Sequence, residues 1–277
     1  MSIAGIPSVC FRGQVDFIYL TSIVKSLFSI VLLLTGVIFR VTAQDNYEIQ
    51  VYPSAPVETG VTMMELHSNY TPAGMPYTDI RPTNHALHET LEITHGLASW
   101  AEIGFYLFTN IHSGYGWQFV GTHLRPRVSI PASWNWPVGL SLSTEFGYQR
   151  REYSEDTWNI EIRPIIDKDT KWVYLSFNPT FGKSFKGVNE KEGFDFEPNF
   201  KVAFHVIKQA DIGLEYYGST GTVFNSPPVA EQEHALYAAV DLFISPKWEF
   251  NIGSGWGLTD ATDGWVLKTI IGRRFGK

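Results

Sequence analysis

The chain has 277 residues and a formal charge of −7, with 21 Lys+Arg against 28 Asp+Glu. That balance, with no basic cluster to offset it, argues against a nucleic-acid binder. Only 18% of residues are charged while 15% are aromatic, and nine Trp and 24 Gly point to a β-rich chain.

The first element is an apolar run, LFSIVLLLTGVIF from Leu27 to Phe39, preceded by Lys25 and followed by VTAQ. Val41 and Ala43 stand at the −3 and −1 positions of a cut before Gln44. The run falls short of the roughly 20 apolar residues that a spanning helix needs, so 1–43 reads as a cleaved secretory signal peptide rather than an anchor. The stretch before it, MSIAGIPSVCFRGQVDFIYLTSI, is unusual for a signal and reads as an over-extended start, with the true one at Leu20 or Val24. Cleavage removes Cys10, the only cysteine, and with it any disulfide framework or thiolate metal site. It also removes Arg12, Lys25, Arg40 and Asp16, leaving 18 Lys+Arg and 27 Asp+Glu, a formal −9. No later stretch is long and apolar enough to cross a membrane as a helix.

Residues 44–60, which include YEIQVYPSAPVETG, read as a short extended segment on the periplasmic side, ahead of a β domain over 61–277. Twelve strands are expected there, at 61–70, 86–95, 100–109, 117–130, 138–150, 157–167, 172–183, 193–206, 210–218, 233–244, 247–258 and 264–275. In 138–149 the even positions run Val138, Leu140, Leu142, Thr144, Phe146, Tyr148 against Gly139, Ser141, Ser143, Glu145, Gly147, Gln149, the period of a strand with two different surroundings. On three strands the oily faces are Val120, Leu124, Val128; Ile160, Ile162, Ile166; and Phe194, Phe196, Phe200, Val202, Phe204. Their opposite faces carry His123, Arg125, Arg127; Asn159, Glu161, Arg163; and Asp195, Glu197, Asn199, Lys201. Similar polar rows hold Glu92, Glu102, Glu145, Asp211, Glu215, Asp241, Glu249 and Lys268.

Connections alternate between tight ones (GLAS, PASWNWP, KDTK, IKQA, SPK) and longer, more polar ones at 70–85, 110–116, 150–157, 184–192, 218–232 and 259–264. Trp100, Trp117, Trp158, Trp172, Trp248 and Trp265 sit at or near strand starts, where a ring can lie half in lipid and half among headgroups. A soluble sandwich would place Trp at mid-strand between its sheets and would need its apolar belt covered. These patterns predict an all-β fold: a transmembrane antiparallel up-and-down β-barrel of about 12 strands in the bacterial outer membrane, lipid outside and a charged lumen within.

The hairpin EITHGLASWAEIGFYLF, the later SPKWEFNIGSGWGLTD and the ending WVLKTIIGRRFGK resemble the family of Gram-negative outer-membrane proteins named after the meta-pathway of phenol degradation. The resemblance covers roughly 61–277. It implies a small barrel acting as a channel for aromatic compounds, with an inward acid in each hairpin, here Glu102 and Glu249, and no catalytic residues. The family's usual aromatic terminus is displaced here, because Gly276 and Lys277 follow Phe275. That bears on recognition by the barrel-insertion machinery, which is an expected partner.

The lumen or constriction candidates are Glu102, Arg125, Arg127, Glu145, Glu161, Arg163 and Glu249. Arg125, Arg127, Glu145, Glu161 and Arg163 come from three neighbouring strands and carry both signs, as a selecting constriction or a filled lumen would. Eight strands pack shut and 16–18 leave a channel, so a count of twelve leaves both open. His85, His88, His95, His112 and His123 crowd one third of the chain, yet His85 and His88 at i,i+3 point to opposite faces. They read as separate polar residues, with no metal site and no cofactor implied. Ser113 follows His112, but adjacent strand residues face opposite ways, and no nucleophile elbow is present. Pro126, Pro164, Pro179 and Pro198 fall inside expected strands at outward parity, where they mark bulges or kinks. The reading that follows is a passive channel or porin-like facilitator for small solutes, hydrophobic or aromatic ones by the resemblance, with lipid and a small-molecule permeant as partners. The alternatives are a rim-located lipid-modifying enzyme and a structural or adhesive barrel working through loops 70–85 and 218–232.

Overall fold

The period-two alternation becomes twelve strands among the described residues, 46–75 and 80–276 of a computed structural model, all within the unit Val41–Lys277. They are β1 (Thr62–Ala73), β2 (Leu87–Ala98), β3 (Ala101–His112), β4 (Gly116–Ser129), β5 (Gly139–Gln149) and β6 (Asp156–Asp169). After them come β7 (Val173–Gly187), β8 (Asp195–Ile207), β9 (Ala210–Ser219), β10 (Glu233–Ser245), β11 (Trp248–Gly257) and β12 (Trp265–Phe275). Each pairs antiparallel with its sequence neighbours, and β1 closes on β12 from Thr62↔Phe275 to Ala73↔Trp265. Closure leaves no free edge, so the ladder satisfies the wall's backbone except at a few bulges and proline gaps. The signal peptide expected over 1–43 lies outside the described residues.

The outward face is a belt of exposed apolar side chains, among them Leu66, Phe105, Leu124, Leu142, Phe146, Leu175, Phe200, Val202, Leu214, Ile252 and Ile271. The inward face is buried and polar, with Glu65, His67, Glu92, Glu102, Arg125, Arg127, Glu145, Glu215 and Lys268 all enclosed. The expected parity therefore holds with one correction. Val120, expected on the oily outer face, is fully buried inside. Phe108 pairs with Gly121 but Thr109 pairs with Phe119, so Val120 is an extra residue on β4. Such a β-bulge inverts the alternation on one side of it: Phe119 and Trp117 continue outward and Val120 turns in.

Three of the four outward prolines coincide with gaps in the ladder, rather than with the bulges or kinks expected of them. Between β4 and β5 no pair is formed between Leu124↔Phe146 and Arg127↔Ser143, around Pro126. Between β6 and β7 none is formed between Ile162↔Phe181 and Ile166↔Phe177, around Pro164 and Pro179. Pro179 then faces Pro198 across β7 and β8. A proline has no N–H to donate, so these gaps follow from the sequence. The residues skipped are equal on both strands, and register is kept.

All described turns at one end are short except 130–138, which holds a single 3-10 turn, Ala132–Trp134, ended by Asn135 in the left-handed region at φ 51°. The other end carries the longer connections, although 113–115 is only a tight turn. Trp100, Trp134, Trp136, Trp172 and Trp248 ring the short-turn end; Trp117, Trp158, Trp256 and Trp265 ring the other. Every one of the nine is partly or fully exposed.

The segment 44–60, expected on the periplasmic side ahead of the barrel, is placed differently. From Asn46 onward it runs down the inside. Asn46 donates to Asp263 Oδ2 (2.6 Å) in the connection between β11 and β12, at the long-loop end. Thr59 bridges to Gly96 near the opposite end. Tyr47, Ile49, Val51 and Tyr52 are buried on the way. The physical reason is the supply of polar groups on the wall: a closed barrel offers the segment no edge to pair with, so inward side chains satisfy its backbone instead.

Candidate functional site in the lumen

The candidate residues fall into two ion networks on β3–β6, extended by Glu92 of β2. In the first, Arg125 Nη1 donates to Glu102 Oε1 (3.0 Å) and Nη2 to Glu92 Oε1 (2.5 Å). Arg127 Nη2 lies 2.7 Å from Glu102 Oε1. In the second, Arg163 Nη1 donates to Glu145 Oε1 (3.0 Å) and Nη2 to Glu161 Oε2 (2.8 Å), while His123 Nδ1 lies 3.4 Å from Glu145 Oε2. Register produces the grouping, since Glu102 faces Arg127, Glu145 faces Glu161 and Ser143 faces Arg163 across their strands. Charges so enclosed persist only when paired. Arg125, Arg127 and Glu102 thus share one network, and Glu145, Glu161 and Arg163 share the other. Glu249 is not: it pairs with Arg274 (2.8 Å) towards the short-turn end.

Small inward residues give these long side chains room. A Cβ on Gly147 would lie 1.8 Å from His123 Cδ2, and one on Gly104 3.3 Å from Arg125 Nε. Glycine at both positions lets the wall fold its charged side chains flat against itself.

Between the two networks sits Tyr52 of the inner segment. Its ring has the Arg125 guanidinium 5.1 Å from its centroid and the Arg163 guanidinium also at 5.1 Å. Its hydroxyl donates to Glu48 Oε1 (2.6 Å) and lies 3.2 Å from the Tyr106 hydroxyl. Asn178 brackets its backbone, accepting from Tyr52 N (2.7 Å) and donating to Tyr52 O (3.1 Å), and Ser176 Oγ donates to the same carbonyl (2.9 Å).

The rest of the segment is held in the same way. Arg127 donates to Pro53 O (2.8 Å) and Ala55 O (3.1 Å), Ser129 Oγ to Ser54 O (2.9 Å), and Thr90 Oγ1 to Tyr47 O (2.6 Å). Ser54 N donates to Asp167 Oδ2 (2.8 Å) and Val57 N to Glu102 Oε2 (2.5 Å). Arg125, Arg127, Glu102 and Arg163 therefore serve a lumen filler as well as one another.

A third network on β8–β12 is absent from the expected set. Lys201 Nζ reaches Glu215 Oε1 (3.1 Å) and Asp241 Oδ2 (2.7 Å). Lys268 Nζ contacts Glu215 Oε2 and donates to Ile49 O (3.1 Å). All four residues sit at inward parity, which was the available signal; their convergence across four strands was not. A hydrophobic cluster of Tyr47, Tyr106, Phe108, Val120 and Tyr153 fills the lumen towards the long-loop end.

The histidines do not gather in one place. His88 packs edge-on against Tyr47, His95 Nδ1 lies 2.9 Å from Thr62 Oγ1, and His123 joins Glu145 as above. His112 stacks on Tyr115 and its Nδ1 accepts from Gly114 N (3.0 Å). No Ser–His hydrogen bond occurs among the described residues.

No protein-family model and no curated protein matches the sequence, so the relation to the phenol meta-pathway family remains a resemblance. Solved structures do match. An outer-membrane channel from Pseudomonas putida F1 is 9% identical with a TM-score of 0.57, covering 82% of this chain and 100% of its own. The NanC porin is 10% identical with a TM-score of 0.51, covering 77% of this chain and 100% of its own. The KdgM porin, solved in complex with disordered oligogalacturonate, is 9% identical with a TM-score of 0.50, covering 78% and 99%. At these identities the likeness is one of fold, a closed barrel of the outer-membrane type.

Proposed function

We propose that the protein is an outer-membrane channel for passive uptake of small solutes, closed by its own segment 46–58. An apolar belt between two rings of Trp suits lipid flanked by headgroups. The short-turn end, which holds both ends of the sheet, faces the periplasm. Arg125, Arg127, Glu145, Glu161, Arg163 and Glu102 form the constriction, and Tyr52 is its stopper.

The observation that carries this reading is how the segment is held. Its grip on the wall consists of side-chain hydrogen bonds and ring contacts rather than a β-ladder, apart from the single bridge at Thr59. Water can replace such bonds one for one when the segment leaves, so a charged, wettable bore lies beneath it. Tyr106, Phe108 and Tyr153, which Tyr47 covers, would then line the route with ring faces beside Arg125. That lining supports an aromatic or otherwise hydrophobic permeant.

The test is single-channel recording of the membrane-purified protein in a planar bilayer. Discrete steps are expected, with cation preference rising in Arg127→Gln and falling in Glu145→Gln, and with current reduced by an added aromatic carboxylate such as benzoate. Silence from inserted, folded protein, in the parent and in variants with a loosened segment, would overturn the channel reading.

A further inference from the structure

Glu65 and His67 are two residues apart on β1 and share its lumen face, and Glu92 of β2 is the direct cross-strand partner of Glu65. One potential ligand atom from each lies within 4.8 Å of the others. Their exposures are 7%, 0% and 1%. Arg125 and Thr94 take only Oε1 of Glu92. Its Oε2 has no hydrogen bond and faces His67 Nε2 at 3.5 Å. Neither ring nitrogen of His67 makes a hydrogen bond, although the imidazole is completely enclosed. Of the nearby guanidinium groups, Arg125 is spent on Oε1 of Glu92 and on Glu102, and Arg274 pairs with Glu249.

Two buried carboxylates set face to face repel each other, and an enclosed imidazole without hydrogen bonds is costly. A single dication between them answers both at once. We propose that Glu65, His67 and Glu92 form a site for one divalent transition-metal ion of the zinc or cobalt type. The imidazole sets the class, because magnesium and calcium prefer all-oxygen shells. Thr94 and Arg125 hold Glu92 from behind and leave its free oxygen aimed at the site, the outer support that metal ligands use. A second trio, Glu48, His123 and Glu145, also converges. There both carboxylates are already engaged, Glu145 by Arg163 and Glu48 by the Tyr52 hydroxyl, whereas in the first trio Arg125 and Thr94 engage Glu92 alone. The metal site stands apart from the channel reading and holds whether or not the barrel conducts.

The protein is purified from membranes in detergent, stripped with a chelator and titrated with Co²⁺ alone. Heat-modifiable gel mobility and β-sheet circular dichroism confirm the fold of each sample. The expected result is one saturable equivalent with visible ligand-field absorption, displaced by Zn²⁺ and unaffected by Mg²⁺. Glu65→Gln, which keeps the side-chain shape, and His67→Gln each weaken it at least about ten-fold, while Glu48→Gln leaves it unchanged. No saturable spectrum from the folded parent overturns the site. So does a spectrum that Glu65→Gln leaves intact, or one lost with Glu48→Gln instead.

Discussion

Replacing Tyr52 by alanine removes the proposed stopper without touching the wall. The ring lies 5.1 Å from each of two guanidinium groups, and a cation–π contact contributes about 0.5–2 kcal/mol. The hydroxyl's bond to the Glu48 carboxylate at 2.6 Å adds about 1.5–3 kcal/mol. Water takes up the freed groups when the segment leaves, so the lower half of each range applies, and the closed state loses about 3–4 kcal/mol. At about 1.4 kcal/mol per factor of ten, the open population rises by about two to three orders of magnitude. The main-chain bonds to Asn178 and Ser176 survive the substitution, so the segment still returns. Tyr52→Phe keeps the ring and loses the hydroxyl's contacts with Glu48 and Tyr106, for a rise of about one order of magnitude. Planar-bilayer recordings of open probability read both. An open probability for Tyr52→Ala equal to that of the parent, in protein shown to be folded and inserted, would refute the stopper role.

Further outcomes follow from the same geometry. Glu102→Gln takes the shared partner from Arg125 and Arg127. It should lower the unfolding free energy by about 3–5 kcal/mol, the cost of leaving a buried charge unpaired, as read by urea titration in liposomes. Leu214→Arg, mid-strand in the outer belt and 52% exposed, should cost about 2–4 kcal/mol in a bilayer, whereas Ile207→Arg at the short-turn end should cost about 0–1 kcal/mol; equal costs would argue against lipid around the belt. Gly147→Val should displace the His123 ring, whose Cδ2 lies 1.8 Å from the new Cβ position, and destabilise the barrel by about 1–3 kcal/mol, measured by thermal melting.

Strand positions were legible because period two, strand-ending Gly and Asn, and tryptophans at the strand ends all mark them locally. Every described strand begins and ends within a few residues of its expected place. The prolines were legible for the same reason, since a missing N–H is a property of one residue. Val120 was not. A bulge is a relation between two strands, and Phe108 and Phe119 must be seen in register before the extra residue shows.

The inner segment was least legible. Tyr47, Ile49 and Val51 do alternate with Glu48 and Gln50, but that pattern alone does not say which surface will cover them. Many of the groups that hold it, among them Arg127, Ser129, Ser176, Asn178 and Lys268, are more than 70 residues away in the chain. The inward charges could be listed strand by strand, yet their partners depend on the barrel's register and on Tyr52 standing between them.

The most direct test of the central claim is a reversible lock on the segment. Ser54 Oγ donates to Asp167 Oδ1 at 2.6 Å, so Ser54→Cys with Asp167→Cys, in a Cys10→Ser background, places a disulfide between the segment and β6. Conductance is recorded in a planar bilayer before and after adding a reductant. The account predicts silence when oxidised and the onset of discrete openings on reduction. Equal conductance in the two states, with the cross-link verified by mass spectrometry, would contradict it.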